Sequence, residues 1–174
     1  MSLWRTMSGA KPYLLLMNTD YDVFTSDLVE RYFQRSLFYG MFPGMFSHNA
    51  ADHPYWQNPK WYERDRPLFK KYLPLIKRIA EAGWQPITNA RCDNEKVFVE
   101  RFGPNPADEA FLTLFNDSET HQRTRLDLDL AGLGFNGMVT AREMISGKIL
   151  DAKGDLEIEL EPQQAEAIEL KPNR

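Results

Sequence analysis

The hydrophobic period changes once along this chain, near Trp84, and that change constrains the fold more than any other feature. Downstream of it, apolar residues recur at every second position. In TRLDLDL the leucines at 126, 128 and 130 alternate with charged residues, and Leu156, Ile158 and Leu160 do the same in DLEIELE. A period of two turns every apolar side chain of a strand to one face. Seven runs have this strand character: QPITNAR, KVFVERF, AFLTLFN, TRLDLDL, VTAREM, DLEIELE and EAIEL. Turn signals at Asp93-Asn94, Gly103-Pro104, Asn116-Asp117, Gly132 to Gly137, Gly147, Gly154 and Pro162 separate them. Such a series predicts an antiparallel β-sandwich with one face of each strand buried and the other wet.

Upstream of Trp84 the pattern is helical and loop-rich. KPYLLLMN (Lys11 to Asn18) is a short apolar run ending at a turn signal, which predicts a buried strand. Asp27 stands three residues before Glu30, the spacing of a capping box, and Val29, Tyr32, Phe33 and Leu37 then share a helical face with Gly40 as the stop. A second helix is predicted from a cap at Asp65, with Pro67 in its first turn. Phe69, Tyr72, Leu73, Ile76, Ile79 and Ala80 form its stripe, Pro74 kinks it, and Gly83 with Trp84 closes it in a Schellman motif. The expected fold class is therefore α+β: an N-terminal helical and loop segment, residues 1–83, packed on a C-terminal antiparallel β-sandwich of about seven strands, residues 84–174.

Composition narrows the function classes. At 43% hydrophobic and 13% aromatic, the 174 residues suffice for a core. The net charge of −4, with both signs spread along the chain, argues against nucleic-acid binding through a basic footprint. The one cysteine, Cys92, excludes an intramolecular disulfide framework. The longest wholly apolar run, LLLM at 14–17, is far too short to span a membrane, and the first residues show no signal-peptide pattern. A soluble protein of unassigned compartment is expected, with no membrane partner. Met7 could serve as a start, and the chain could be a piece of something longer.

Candidate chemistry is sparse. Asp20 and Asp22 in NTDYD could belong to a carboxylate pair, but acidic residues after a strand are commonly turn formers. Glu100 and the carboxylates of LDLDL and EIELE are expected on the solvated strand faces. His48, Asp52 and His53 lack the regular spacing of a metal site, and no metal or other cofactor is expected. No P-loop, dinucleotide fingerprint or nucleophile elbow occurs, and Cys92 has only Arg91 nearby to lower its pKa. No catalytic residue is assigned.

The stretch FYGMFPGMFSHNAADHPYWQNPKW (38–61) holds the densest aromatics, yet Gly, Pro, Asn and Asp interrupt it too often for regular structure, so a loop is expected. Trp56, Trp61 and Tyr55, with Asp52 and His53 to take hydroxyls, have the composition of a carbohydrate site. The same rings could instead pack the loop against the sandwich and the helix.

The order RPLFKKYLPLIKRIAEAGWQPITNAR, VFVERFG, FLTLFND, TAREMISGKIL and DLEIELEPQQAEAIEL resembles the C-terminal part of a glycoside hydrolase of the kind in which a (β/α)8 barrel precedes a β-sandwich. The resemblance rests on the REMISGK turn and the closing LEPQQAEAIEL. It implies that KPYLLLMN is a late barrel strand and YGMFPGMF the final strand or its loop. A whole barrel takes roughly 250 residues, and here only positions 1–83 precede the sandwich. The resemblance thus implies a carbohydrate-related region that supports a barrel carried elsewhere in the parent protein. It implies glycan contact through the aromatic stretch and no hydrolysis by this chain alone. Two alternatives stand beside it: a stand-alone carbohydrate-binding module with an exposed row of Trp56, Trp61 and a Tyr, and an interaction module that forms homo-oligomers through the aromatic stretch.

Overall fold

A computed structural model describes residues 3–9, 13–48, 55–152 and 154–173. The N-terminal region holds α1 (Leu3–Ser8), β1 (Leu14–Asn18), α2 (Ser26–Tyr39), β2 (Phe42–Phe46), a 3-10 turn (Tyr55–Gln57) and α3 (Pro59–Ala82). Among its described residues the C-terminal region holds nine strands: β3 (Trp84–Gln85), β4 (Ala90–Cys92), β5 (Val97–Phe102), β6 (Ala110–Asn116), β7 (Gln122–Leu128), β8 (Val139–Glu143), β9 (Ile149–Leu150), β10 (Asp155–Leu160) and β11 (Ala165–Pro172). They form a six-stranded sheet in the order β3-β5-β6-β11-β8-β9 and a three-stranded sheet in the order β10-β7-β4, antiparallel throughout. The helical segment packs on an antiparallel sandwich, as the change of period predicts. β3 and β9, two residues each, are too short for a periodic signal.

One face of the six-stranded sheet meets the smaller sheet. Ala110, Leu112 and Leu114 of β6 and Ile168 and Leu170 of β11 join Leu126, Leu156, Ile158 and Leu160 there. The alternation in β7 and β10 is the expected one, buried leucines against exposed charges. β6 departs from it, because all seven of its residues are buried. Its second face, Phe111 and Phe115, lies under α2 and α3 with Ala165 and Ala167 of β11. The molecule therefore has three layers: helices, large sheet, small sheet.

α2 buries Val29, Tyr32, Phe33 and Leu37, the predicted face, and ends at Gly40. Gly40 is left-handed (φ 57°, ψ 35°); its N–H reaches Leu37 O and that of Met41 reaches Ser36 O. A Cβ at Gly40 would sit 2.6 Å from the Phe102 ring, so glycine is required for space as well as for φ. Arg5 of α1, 1% exposed, donates to Tyr39 O and Gly40 O and caps these carbonyls. Burial draws its pKa down to about 10.

Helix entry differs from expectation. The N-cap of α2 is Thr25, with Asp27 inside the first turn and no side-chain cap bond. α3 begins six residues before Asp65: Asn58 is its cap, accepting from the Lys60 N–H, and Pro59 takes the first position. Both Pro67 and Pro74 lie inside the helix. Gly83 has φ 82° and ψ 126°, outside the left-handed helical region, and makes one bond to Ala80 O in place of a Schellman pair.

The stretch expected as a loop contains β2, which pairs in parallel with β1 in the register Leu14↔Phe42 to Asn18↔Phe46. Pro43 and Gly44 disguise it in the sequence. With α2 as the crossover, β1-α2-β2 is a parallel βαβ unit, the only parallel pairing among the described residues.

Candidate functional site

The C-terminal ends of β1 and β2 lead into an aromatic and charged cluster. After β1 the chain turns at Asp20, whose carboxylate accepts the Asp22 N–H while its carbonyl accepts from Val23 and Phe24. That is a turn-forming role. The turn buries Tyr21, whose ring lies 5.4 Å from Tyr55 and 5.0 Å from Trp61. Trp56 stands edge-on to Tyr55 at 5.2 Å and Tyr62 at 5.5 Å, and 6.3 Å from Phe69.

Asp65 organises this cluster from inside α3. It is fully buried and takes the Arg64 guanidinium on both oxygens, at 2.6 and 2.9 Å, together with the Tyr55 hydroxyl at 2.9 Å. Arg64 also donates to Tyr21 O and Phe24 O, so one ion pair fixes the segments after both parallel strands onto α3. Burial first, then the hydrogen bond to Asp65, drives the Tyr55 hydroxyl far above the usual phenol value. Asp22 takes Lys60 and, at 3.3 Å, the Trp61 indole N–H; the Lys60 bond first and then the Trp61 bond hold its carboxyl below the usual range.

The predicted site residues separate here. Trp61 is 4% exposed and packed, Tyr55 is half-buried, and Trp56 is 68% exposed. An exposed row containing both tryptophans is not formed. Asp52 and His53 lie outside the described residues, and His48 is exposed. Beside Trp56 a groove of about 630 Å³ runs along α3, lined by Phe69, Leu73 and Pro74 with Arg66, Lys70 and Lys77 at its rim. No group of His, Cys, Asp and Glu suited to a metal ion occurs among the described residues. Nor is any helix among them long and apolar enough to cross a membrane.

Two acidic sites gave no sequence signal. Glu100, expected in solvent, is 3% exposed and accepts the Trp84 indole N–H at 2.7 Å, because β5 is covered on the side of the helices. Glu169, equally buried, joins Arg78 of α3 to Arg142 and Lys171, with Glu109 beside it. Lys171 above all, with Asn105 and Arg78, holds Glu109 at about 2. This network joins α3 to the large sheet. Cys92 is pushed up to about 11 by burial, against a nucleophilic role.

No known family model and no curated protein matches the sequence. Solved structures do. A GH27 β-L-arabinopyranosidase from Geobacillus stearothermophilus aligns over 87% of this chain and 32% of its own, at TM-score 0.52 and 20% identity. An α-amylase from Geobacillus thermoleovorans aligns over 92% and 39%, at 0.54 and 12%. AmyP in complex with maltotriose aligns over 86% and 35%, at 0.56 and 10%. At these identities the likeness is one of fold. Over most of its length the chain shares its fold with part of each of these structures, and it spans about a third of the first of them.

Proposed function

We propose that the chain is the C-terminal, non-catalytic region of a glycoside-hydrolase-like protein. In this reading residues 1–83 contribute the closing βα units of a barrel, and residues 84–174 form the sandwich that supports them. The observation that carries the reading is the parallel β1–β2 pair. Parallel sheets occur almost only with both faces covered and several strands in register. Here Leu14, Leu16 and Phe46 remain 55%, 60% and 48% exposed. Such a pair is the end of a larger sheet, anchored to a sandwich through α2 and α3. The fold likeness to much longer hydrolases supports the same reading.

The test is turnover of a panel of aryl glycosides. The 174 residues alone give no hydrolysis above buffer, and a longer chain that completes the barrel does. Robust hydrolysis by the isolated chain would overturn the proposal.

A second reading, glycan contact, is favoured by Trp56, an exposed indole held in place by three rings. Calorimetry against neutral and acidic oligosaccharides checks it: binding is expected, and is lost in Trp56→Ala but kept in Lys60→Ala. Absence of heat with every sugar class rules it out.

A further inference from the structure

Most asparagines among the described residues are engaged, either through the side chain or through the backbone N–H that follows. Asn116 is fully buried and gives its amide to the carbonyls of Thr120, Leu160 and Glu161. Asn89 donates to Gly132 O, and Asn94 donates to Gln122 and to Arg123 O while accepting the Lys96 N–H. Asn173 accepts the Thr140 hydroxyl. Asn58 and Asn105 precede prolines, whose nitrogens carry no hydrogen. After Asn18 the next N–H, that of Thr19, is held by Phe46 O.

Asn136 differs in both respects. It lies with Gly137 in an exposed bend outside any helix or strand, and among the described residues neither its side-chain amide nor the Gly137 N–H has a hydrogen-bond partner. Asn136-Gly137 is also the one Asn-Gly pair in the sequence. Glycine leaves its own nitrogen unshielded and its backbone free to turn. A Cβ at Gly137 would meet nothing within 4 Å, so the surroundings do not restrict that turning either. The flanks are fixed: Phe135 and Val139 are buried in the sandwich core, and the Asn173 N–H holds Met138 O. The side-chain carbonyl carbon of Asn136 and the nitrogen of Gly137 are thus both free, close along the chain, and able to close a small ring.

We propose that Asn136-Gly137 is a site of spontaneous covalent modification, at which Asn136 deamidates through a cyclic imide while the chain stays folded. The Gly137 nitrogen attacks Cγ of Asn136 and gives up its proton. The Cγ–Nδ2 bond breaks, and Nδ2 takes up a proton and leaves as ammonia. Water then opens the ring. Cleavage at Cγ leaves aspartate; cleavage at the main-chain carbonyl leaves isoaspartate, in which the backbone runs through the side chain and is one methylene longer. Nothing is oxidised or reduced, and water is the co-reactant. Either product adds one negative charge to the net −4 of the chain. The extra methylene falls within the exposed residues 136–138, so the β8–β11 ladder that starts at Val139↔Pro172 is kept. The inference rests on neither the barrel reading nor the glycan reading.

Peptide mapping by mass spectrometry tests it on the 174-residue chain, incubated folded in mildly alkaline buffer. The peptide holding Asn136 should gain the mass difference between an amide and an acid and split into two species, aspartyl and isoaspartyl. It should do so before any other asparagine peptide, and faster in alkaline than in mildly acid buffer, because the attacking nitrogen must lose its proton. Gly137→Ala, which shields that nitrogen and restricts its φ, should slow the change severalfold. Asn136→Gln should abolish it over the same period. Both substitutions fall on exposed positions, and circular dichroism with melting confirms that each variant is folded. Asn136→Asp should melt with the wild type. An Asn136 that stays intact in the folded chain, while a synthetic peptide spanning the bend converts, overturns the proposal. So does earlier conversion at another asparagine, or a rate that Gly137→Ala leaves unchanged.

Discussion

The six-stranded sheet and the two-stranded parallel pair lie under the same helices, yet they are finished to different degrees. β6 and β11 have an apolar layer on each face, and their cross-strand register runs unbroken from Ala165↔Phe115 to Leu170↔Ala110. The parallel pair has α2 and α3 on one face and water on the other. The Tyr32 hydroxyl accepts the Gly44 N–H at 2.7 Å and donates to Leu15 O, tying α2 to both strands. One region has apolar burial on both faces; the other has the apolar contacts of Leu15, Met17, Phe42 and Met45 and adds polar fastenings to its neighbours. On the function proposed above, the parallel pair is the part that further strands of a larger sheet would cover.

The largest expected effects separate the two kinds of fastening. Leu112→Ala empties a fully buried site in β6 and should cost about 2–5 kcal/mol. Asp65→Ala, which leaves Arg64 and the Tyr55 hydroxyl without their buried acceptor, should cost about 3–5 kcal/mol. Denaturant melts of both check these figures. Backbone amide exchange should show that Leu112→Ala loosens the sandwich and Asp65→Ala the segments after β1 and β2. Equal loosening everywhere would dissolve the distinction between the regions.

A smaller effect depends on pH. Glu166 is buried, its carboxylate accepting the N–H groups of Ile145 and Ala167, and burial pushes its pKa up to about 7 from an ordinary 4.5. A pKa raised by folding favours the protonated native state. Its contribution is complete below about 4.5 and is lost as pH rises through about 7. Glu166→Gln keeps the acceptor oxygen without the charge. It should gain about 2 kcal/mol over the wild type at alkaline pH and nothing at acid pH. Glu109 acts in the opposite direction, its stabilisation present above the ordinary 4.5 and lost as pH falls towards about 2. Thermal melts across pH should therefore peak between the two windows, with the alkaline limb flattened in Glu166→Gln.

The smallest effect is the most diagnostic of an unfinished surface. Leu16→Lys should change the stability of the monomer by less than about 0.5 kcal/mol, although it replaces a leucine inside a β-strand, because the side chain already faces water. A loss of several kcal/mol would mean that β1 is packed on both faces.

The sandwich was legible in the sequence because period two survives wherever a strand has one wet face, as in Leu126 and Leu128 or Leu156 to Leu160. It fails for β6, where both faces are buried, and says nothing of which second layer covers it. Glu100 was misplaced for that reason: alternation assigned it to solvent, and α3 with Trp84 supplied the cover. β2 was hidden because Pro43 and Gly44 are turn residues by chemistry and edge or close-approach residues by position. A Cβ on Gly44 would lie 2.7 Å from the Leu14 side chain. Asp65 resembled a cap because it stands just before Pro67; its role in tying Arg64 to Tyr55 depends on contacts ten residues and more apart in sequence. Of the aromatic site, the sequence identified the rings but not their division into the packed Trp61 and the exposed Trp56.

Amide exchange at Met45 tests the unfinished-sheet account most directly. The Phe42 N–H reaches Tyr13 O, so the alternation of the backbone turns the Met45 N–H outward from the β2 edge. In the 174-residue chain it should exchange nearly as fast as in an unfolded peptide. In a longer chain whose preceding sequence completes the barrel, it should be slowed by about a hundredfold or more, while Leu112 and Ile168 are slow in both. A Met45 amide with the same protection in the two chains would contradict the claim that β1 and β2 are the end of a larger sheet.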